Sequence, residues 1–471
     1  MTAEFERLFD QARPAFGQER TFARAKTLAM SALVGLGRRT ISGMLCTSAQ
    51  QFGDWSAAYR LFEQERFDRE ALFAPALRGV LGHLEPDQPL VAMMDDTLLR
   101  KRGRHVYGAG WRRDPLGPPF ATNFVWGQRF LQISAAVPAA PTGQARGVPL
   151  DLVHAPSAPK PRKTAPVEVW KEYRRQQQGM KISAVGAQRL AALRHRLDEE
   201  AGGKDRPLIM PVDGGFTNRA VFRCPPPNTI LIGRIRKDAR LFSAVPPKSC
   251  RGRPRWFGTP LPTPEQIRQE DSIPWSCVQA FGAGKLHPFK VKTVAPVRWS
   301  PTGGRDVRLV VISPLAYRPA KGAKLLYRDP VYLICTDPRL PLSQLLQAYL
   351  WRWEVELNFR DEKTLLGVGE AQVWTRAAVE TVPTLIVAAY AFLLLAGIAS
   401  RHSPALPLPK WRTPNTLRRD STAHMIGILR SQLWGKAMGL DISHFVPPNQ
   451  PTTNPLLFKN TLPSAVCYAF K

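Results

Sequence analysis

A chain of 471 residues with 44% hydrophobic content can bury a large core and should form two or three domains, which excludes a disordered protein. Its 66 Lys and Arg against 37 Asp and Glu leave a formal charge of +29, spread along the whole length, and favour polyanions in general: a nucleic acid, a ribosomal particle or a membrane surface. Six cysteines, with no Cys-x-x-Cys pair and no histidine cluster, speak against a zinc site or disulfide framework and fit reduced thiols in a cytosol.

The opening Met1-Thr-Ala-Glu-Phe-Glu-Arg7 carries charges and no apolar core, so a secretory signal is not expected and the chain should stay inside the cell. Residues 21–36, rich in Ala and Leu, predict a helix, Gly37-Arg-Arg-Thr-Ile-Ser42 predicts a break and restart, and Asp54 is placed to cap a further helix beginning at Trp55. Pro89-Leu-Val-Ala-Met-Met94 reads as a short buried strand that delivers Asp95-Asp96-Thr97, followed by Leu98-Leu-Arg-Lys-Arg-Gly103. Adjacent carboxylates on a strand point to opposite faces, so only one of Asp95 and Asp96 can enter a given site. The basic stretches 101–113 and 160–175 fall in expected loops. Residues 179–200 predict a helix, and Pro207-Leu-Ile-Met-Pro-Val212 a second buried strand ending at Asp213-Gly-Gly-Phe216. Alone, such an aspartate is most often a turn residue.

The long interval before the next motif reads as strands, Thr229-Ile-Leu-Ile-Gly233, Phe289-Lys-Val-Lys-Thr-Val294, Val307-Arg-Leu-Val-Val-Ile312 and Pro330-Val-Tyr-Leu-Ile-Cys335, separated by Pro- and Gly-rich turns. Between residues 234 and 256 the basic side chains Arg234, Arg236, Lys237, Arg240, Lys248, Arg251, Arg253 and Arg255 meet the single acid Asp238, a ribbon poor at forming a core and good at neutralising phosphates. Arg251-Gly-Arg-Pro-Arg255 is close to peptides that enter narrow minor grooves, with a solvated basic loop as the alternative. Trp256, Trp275 and Trp299 are candidates to stack on an extruded base, although packing is the commoner fate of tryptophan.

If residues 349–363 are helical, Tyr349, Arg352, Glu356 and Lys363 fall within a stripe roughly 60° wide. A carboxylate there can hold a divalent cation, and the guanidinium, ammonium and phenol can grip phosphate oxygens. A solvated amphipathic helix with weak surface pairs is the alternative. The apolar run 382–399 lies at the lower edge of membrane-spanning length, and its place after the Glu356 segment favours a buried core helix. Residues 403–410 are proline-rich, 421–439 predict one more helix, and the last residues look extended or mobile. There is no internal repeat.

The spacing Y-x2-R-x3-E-x6-K over Tyr349, Arg352, Glu356 and Lys363 resembles, without a gap, the signature of bacterial insertion-sequence DDE transposases of the cut-and-paste branch, of the insertion-sequence family 4 or family 701 type. The resemblance implies an α/β fold: a ribonuclease-H-like core, a mixed sheet flanked by helices, interrupted by a β-rich insertion. The expected division is a helical N-terminal DNA-binding domain over 1–85, core over 86–216, insertion over 217–340, core again over 341–400, and a helical and extended region over 401–471. Arg38 and Arg39 at a helix start would suit recognition of a DNA end, as equally they would suit plain packing.

The same resemblance makes Asp96, Asp213 and Glu356 the catalytic carboxylates, Asp96 being preferred over Asp95 because it precedes Thr97. Three carboxylates in one pocket repel unless cations lie between them, so Mg²⁺ or Mn²⁺ is implied, as two ions about 4 Å apart. Tyr349, Arg352 and Lys363 would grip the DNA, Arg234 resembles an arginine that holds the transposon end, and Arg251, Arg253 and Arg255 would add phosphate contacts. Implied partners are double-stranded DNA, both transposon ends and target, and a second copy of the chain on that DNA. No membrane is implied, and the place of action is the bacterial cytoplasm at the nucleoid. A related nuclease that does not join strands, or a transposase-derived DNA-binding protein without catalysis, remain as alternatives.

Overall fold

The computed structural model describes residues 1–114, 117–118, 120–139, 143–245, 255–320, 322–400, 406–407, 419–439 and 461–468. Five helices come first: α1 (Thr2–Asp10), α2 (Glu19–Val34), α3 (Ile41–Thr47), α4 (Ser56–Glu63) and α5 (Ala74–Leu81). Thr40 caps α3 by accepting from the Gly43 N–H, and Asp54 accepts from Ser56 at the start of α4, as its sequence position suggests.

Four strands follow, β1 (Leu90–Arg100), β2 (Gly110–Arg113), β3 (Phe124–Pro138) and β4 (Ala145–His154), then helices α6 (Val167–Gly179) and α7 (Ile182–Glu199). Strand β5 (Leu208–Val212), the short helix α8 (Arg219–Phe222) and strand β6 (Thr229–Arg234) complete a mixed unit. β3 pairs antiparallel with β1 and β4, while β1, β5 and β6 run parallel, giving the order β4-β3-β1-β5-β6. Every residue of β5 is buried, as a strand covered on both faces requires.

Beyond β6 come β7 (Leu241–Phe242), β8 (Pro260–Leu261), α9 (Pro264–Gln269), β9 (Ser276–Gly282), β10 (Lys285–Trp299), β11 (Asp306–Ile312), β12 (Ala316–Tyr317), β13 (Leu326–Tyr327) and β14 (Val331–Cys335). Two features differ from the sequence expectation. Thr229-Ile-Leu-Ile-Gly233, read as insertion, is β6 and lies parallel to β5 with side chains buried on both faces. The strands that follow do not form a layer of their own: β14 pairs with the open edge of β6, and β11 and β10 extend it into one twelve-stranded sheet. An unpaired β6 edge would leave a row of backbone donors and acceptors open, and β14 satisfies them.

The chain returns through α10 (Leu342–Trp351), α11 (Glu354–Thr364) and α12 (Arg376–Ala399), and α13 (Thr422–Trp434) and α14 (Thr461–Tyr468) close the described part. α12 is the one described helix long and apolar enough to cross a membrane, and it is buried by protein: α1, α2, α4 and α5 pack around it. Helices expected to stand as a separate N-terminal unit therefore share one core with the sheet and α12, Phe5 and Phe9 packing on Phe392. Arg39 is part of that packing. It is buried, its N–H donates to Glu370 and its guanidinium to the Ala32 carbonyl, whereas Arg38 is exposed.

Candidate active site

The alternation of β1 decides which carboxylate goes where. Leu90, Ala92 and Met94 join the core on the α7 side of the sheet, while Val91 and Met93 join the smaller core beneath α10 and α11. With a period of two, Asp95 continues the α11 side and Asp96 the α7 side. The cross-strand partner agrees, since Asp95 lies opposite Gln132, whose side chain bonds Glu362 of α11. The structure therefore places Asp95, not the sequence-preferred Asp96, in a cleft with Asp213 and Glu356. Asp96 lies 3.5 Å from the Arg129 Nε on the other face, with its carboxyl raised by burial against the pull of that arginine.

Asp213 leaves the end of β5 into a tight turn. Its Oδ1 accepts from the N–H groups of Gly215 (2.9 Å) and Phe216 (3.2 Å), and its carbonyl accepts from the Thr217 hydroxyl. The turn chemistry and the placement in the cleft thus coexist in one residue. Burial and the nearby Asp213 charge push the Asp95 carboxyl up to about 7. Glu356 is raised by burial and held back by Arg352.

The predicted single helix over 349–363 is two. Between α10 and α11 the N–H groups of Arg352, Trp353, Val355 and Glu356 each reach back three residues, to Tyr349, Leu350, Arg352 and Trp353. This tightened turn keeps Tyr349, Arg352 and Glu356 together at the cleft. Arg352 sits between two acids, 3.3 Å from Glu356 and 3.8 Å from Asp95, with its guanidinium 6.0 Å from the Tyr349 ring centre. Burial raises the Tyr349 phenol, and the charges of Arg352 and Arg234 oppose the rise.

Lys363 does not line the cleft. It lies about two turns, or 10 Å, farther along α11, exposed, with its ammonium over the Phe359 ring at 5.9 Å and close enough to Arg100 for mutual repulsion. Arg234 does line the cleft, at the end of β6. Arg255 is exposed and away from it, and Arg251 and Arg253 lie outside the described residues.

The cleft encloses about 1310 Å³, and its far wall joins part of the expected basic ribbon to a group that was not foreseen. Arg236 and Lys237 add positive charge there, beside the group Glu265, Arg268 and Tyr332. Hydrogen bonds from Arg268 and Tyr332 hold Glu265 down to about 2, and burial with Glu265 pushes Tyr332 up to about 12. Sequence spacing could not reveal that group, because α9 and β14 meet only through the sheet. Of the three tryptophans, Trp299 lines the cleft but is largely buried against Phe222, Trp275 lies under the Lys292 ammonium, and Trp256 is exposed.

The residues fit a divalent cation by charge: carboxylates from two strands and a helix share a cleft, and one is driven towards its neutral form by burial and then by another's charge. Among the described residues no three acidic, His or Cys side chains stand close enough together to ligate one ion as placed, and Arg352 supplies the counter-charge between Asp95 and Glu356.

A mixed sheet of this order with carboxylates delivered to a basic cleft is consistent with a ribonuclease-H-like fold. The pattern of the DDE superfamily endonuclease family matches residues 11–300, more than half of the chain, and the protein belongs to that family. The match ends before α10 and α11. No curated protein matches the chain.

Proposed function

We propose that the protein is the transposase of an insertion sequence of the family 4 or family 701 type, binding terminal inverted repeats and moving DNA by metal-dependent strand cleavage and strand transfer in a cut-and-paste route. The observation that carries this reading is the cleft that collects Asp95, Asp213 and Glu356 beside Tyr349, Arg352 and Arg234. Asp95, Asp213 and Glu356 would hold Mg²⁺ or Mn²⁺. When bound, such ions lower the pKa of an attacking water or 3′-hydroxyl and stabilise the leaving oxygen.

The chain's own groups do the rest. Arg352 and Arg234 pair with phosphate oxygens, Arg352 exchanging its acidic partners for the DNA backbone. The Tyr349 phenol, kept protonated by burial, donates a hydrogen bond to the strand near the cut. Glu356 is fixed because the other faces of α11 are tied down: Asn358 donates to the Gly147 carbonyl, the Thr422 hydroxyl to Asp361, and Arg419 to Glu354. A second copy on the same DNA, and Lys363 with Arg255 on flanking phosphates, complete the proposal.

Cleavage of a supercoiled plasmid carrying the element's own ends, with Mg²⁺, with EDTA and with Glu356→Ala, tests it. Metal-dependent release abolished in the variant is the expected result, and a joined product with target DNA separates a transposase from a nuclease that only cuts. A wild type that binds the ends and never cuts them would instead identify a DNA-binding protein without catalysis.

A further inference from the structure

The basic stretch 101–113 runs from the end of β1 into β2, and there it meets aromatic side chains that the cleft does not use. β2 pairs antiparallel with β3 so that Trp111 lies opposite Trp126 and Arg113 opposite Phe124. Opposed and alternate residues share a face, which puts all four on one side of the ribbon. The two indoles meet edge to face, with centroids 5.6 Å apart. Trp111 is nevertheless 69% exposed and Phe124 56%, while Trp126 is anchored by its Nε1 donating to the Gly103 carbonyl. Large aromatic surfaces left open on a strand pair mark a contact surface.

The register shows which way this surface faces. β1 and β3 pair without a shift from Ala92 opposite Ala135 to Arg100 opposite Gly127. Stepping by twos from Trp126 leads through Gln128 and Phe130 to Gln132, the residue opposite Asp95. The aromatic ribbon is therefore a continuation of the sheet face that carries α11.

Charge selects the partner. Arg113 shares the face of the rings and Arg102 and Arg104 are exposed in the segment that leads to them, no acid occurs from residue 100 to 113, and the adjacent Asp114 is buried and paired at 2.9 Å with Arg100 on the opposite face. A second copy of a +29 chain would meet this patch with like charge, whereas a nucleic-acid strand complements it. Duplex DNA hides the faces of its bases, so rings at this site find stacking partners only on unpaired bases.

We propose that the β2–β3 ribbon is a stacking platform for unpaired DNA bases on the sheet face that carries α11, about 20 Å along β3 from the position opposite Asp95, Trp111 and Phe124 taking base faces while Arg113 and its neighbours take phosphates. The proposal rests on the DNA-processing reading above and adds a preference for DNA opened on this flank of the sheet. It is tested in EDTA by fluorescence anisotropy with two labelled probes, the element's end as full duplex and the same end with a single-stranded thymidine flank. Wild type should prefer the flanked probe by roughly tenfold. Trp111→Ala should erase that preference at unchanged duplex affinity, and Trp111→Phe should retain it. A wild type without preference, or a preference that survives Trp111→Ala combined with Phe124→Ala, would overturn the platform. So would variants that change only the sedimentation mass, which would make the patch an interface between copies. Wild type binding neither probe would overturn the DNA reading itself, a result distinct from the others.

Discussion

Asp95 and Asp96 differ by one position and by the whole thickness of the sheet. Because Asp95 shares its face with Glu356 and Asp213, Asp95→Asn should abolish plasmid cleavage, by more than the roughly 10–100-fold that loss of an outer-shell partner costs. Asp96→Asn should keep cleavage within about tenfold and lower thermal stability slightly, since Arg129 loses its charged neighbour. The reverse ranking in the same assay would return the role to Asp96. The choice was not legible in the sequence for a physical reason: Pro89-Leu-Val-Ala-Met-Met94 is apolar at every position, so no alternation tells which face will carry α11. The place of Asp213 was legible, because an aspartate and two glycines after a buried strand read as a tight turn that leaves the carboxylate at the strand's end. Glu356 was legible from its spacing to Tyr349 and Arg352, and that spacing also overstated Lys363, which shares the helix but not the cleft.

At the scale of elements, α11 must sit at a fixed depth and rotation over β1 and β3 for Glu356 to meet Asp95. Gln132 and Glu362 supply that fix. Both are buried, they bond at 2.8 Å, and burial pushes Glu362 up to about 8. Unfolded, the same carboxyl titrates near its ordinary value of 4.5. Between those values the folded chain holds a proton that the unfolded chain has released, so this group favours folding most below the unfolded pKa, and the contribution is lost as pH rises to about 8. The slope is about 1.4 kcal/mol per pH unit across the window. Glu362→Gln preserves the shape and removes the titration, so its urea midpoint should exceed that of wild type at pH 8, with the difference shrinking towards pH 5. A difference independent of pH would refute a neutral Glu362. The pairing of a strand glutamine with a helix glutamate across such separation has no local sequence signal. The tightened turn between α10 and α11 is equally silent, since Arg352 and Trp353 are ordinary helix residues and tertiary packing sets the turn.

At the scale of the molecule, the helical start of the chain and its catalytic sheet cannot be drawn apart. The sequence marked both α2 and α12 correctly as helices, and α12 as a buried one, but length and composition could not say that α1, α2, α4 and α5 join β4 in burying it. Polar ties follow the same route: Arg69 pairs with Glu380 of α12, Arg39 donates to Glu370, and Arg430 of α13 donates to the Val34 and Gly35 carbonyls at the end of α2. Removing residues 1–85 would expose Leu385, Phe392 and their neighbours on a helix apolar enough to enter a bilayer. The fragment 86–471 should therefore be insoluble or molten, binding a hydrophobic dye and lacking a cooperative thermal transition. A DNA-binding appendage joined by a linker would behave differently, leaving a soluble sheet that melts cooperatively and still cuts DNA without choosing its ends. Recovery of that behaviour would show that contacts around α12 are dispensable, and that end recognition can be separated from the cleft after all.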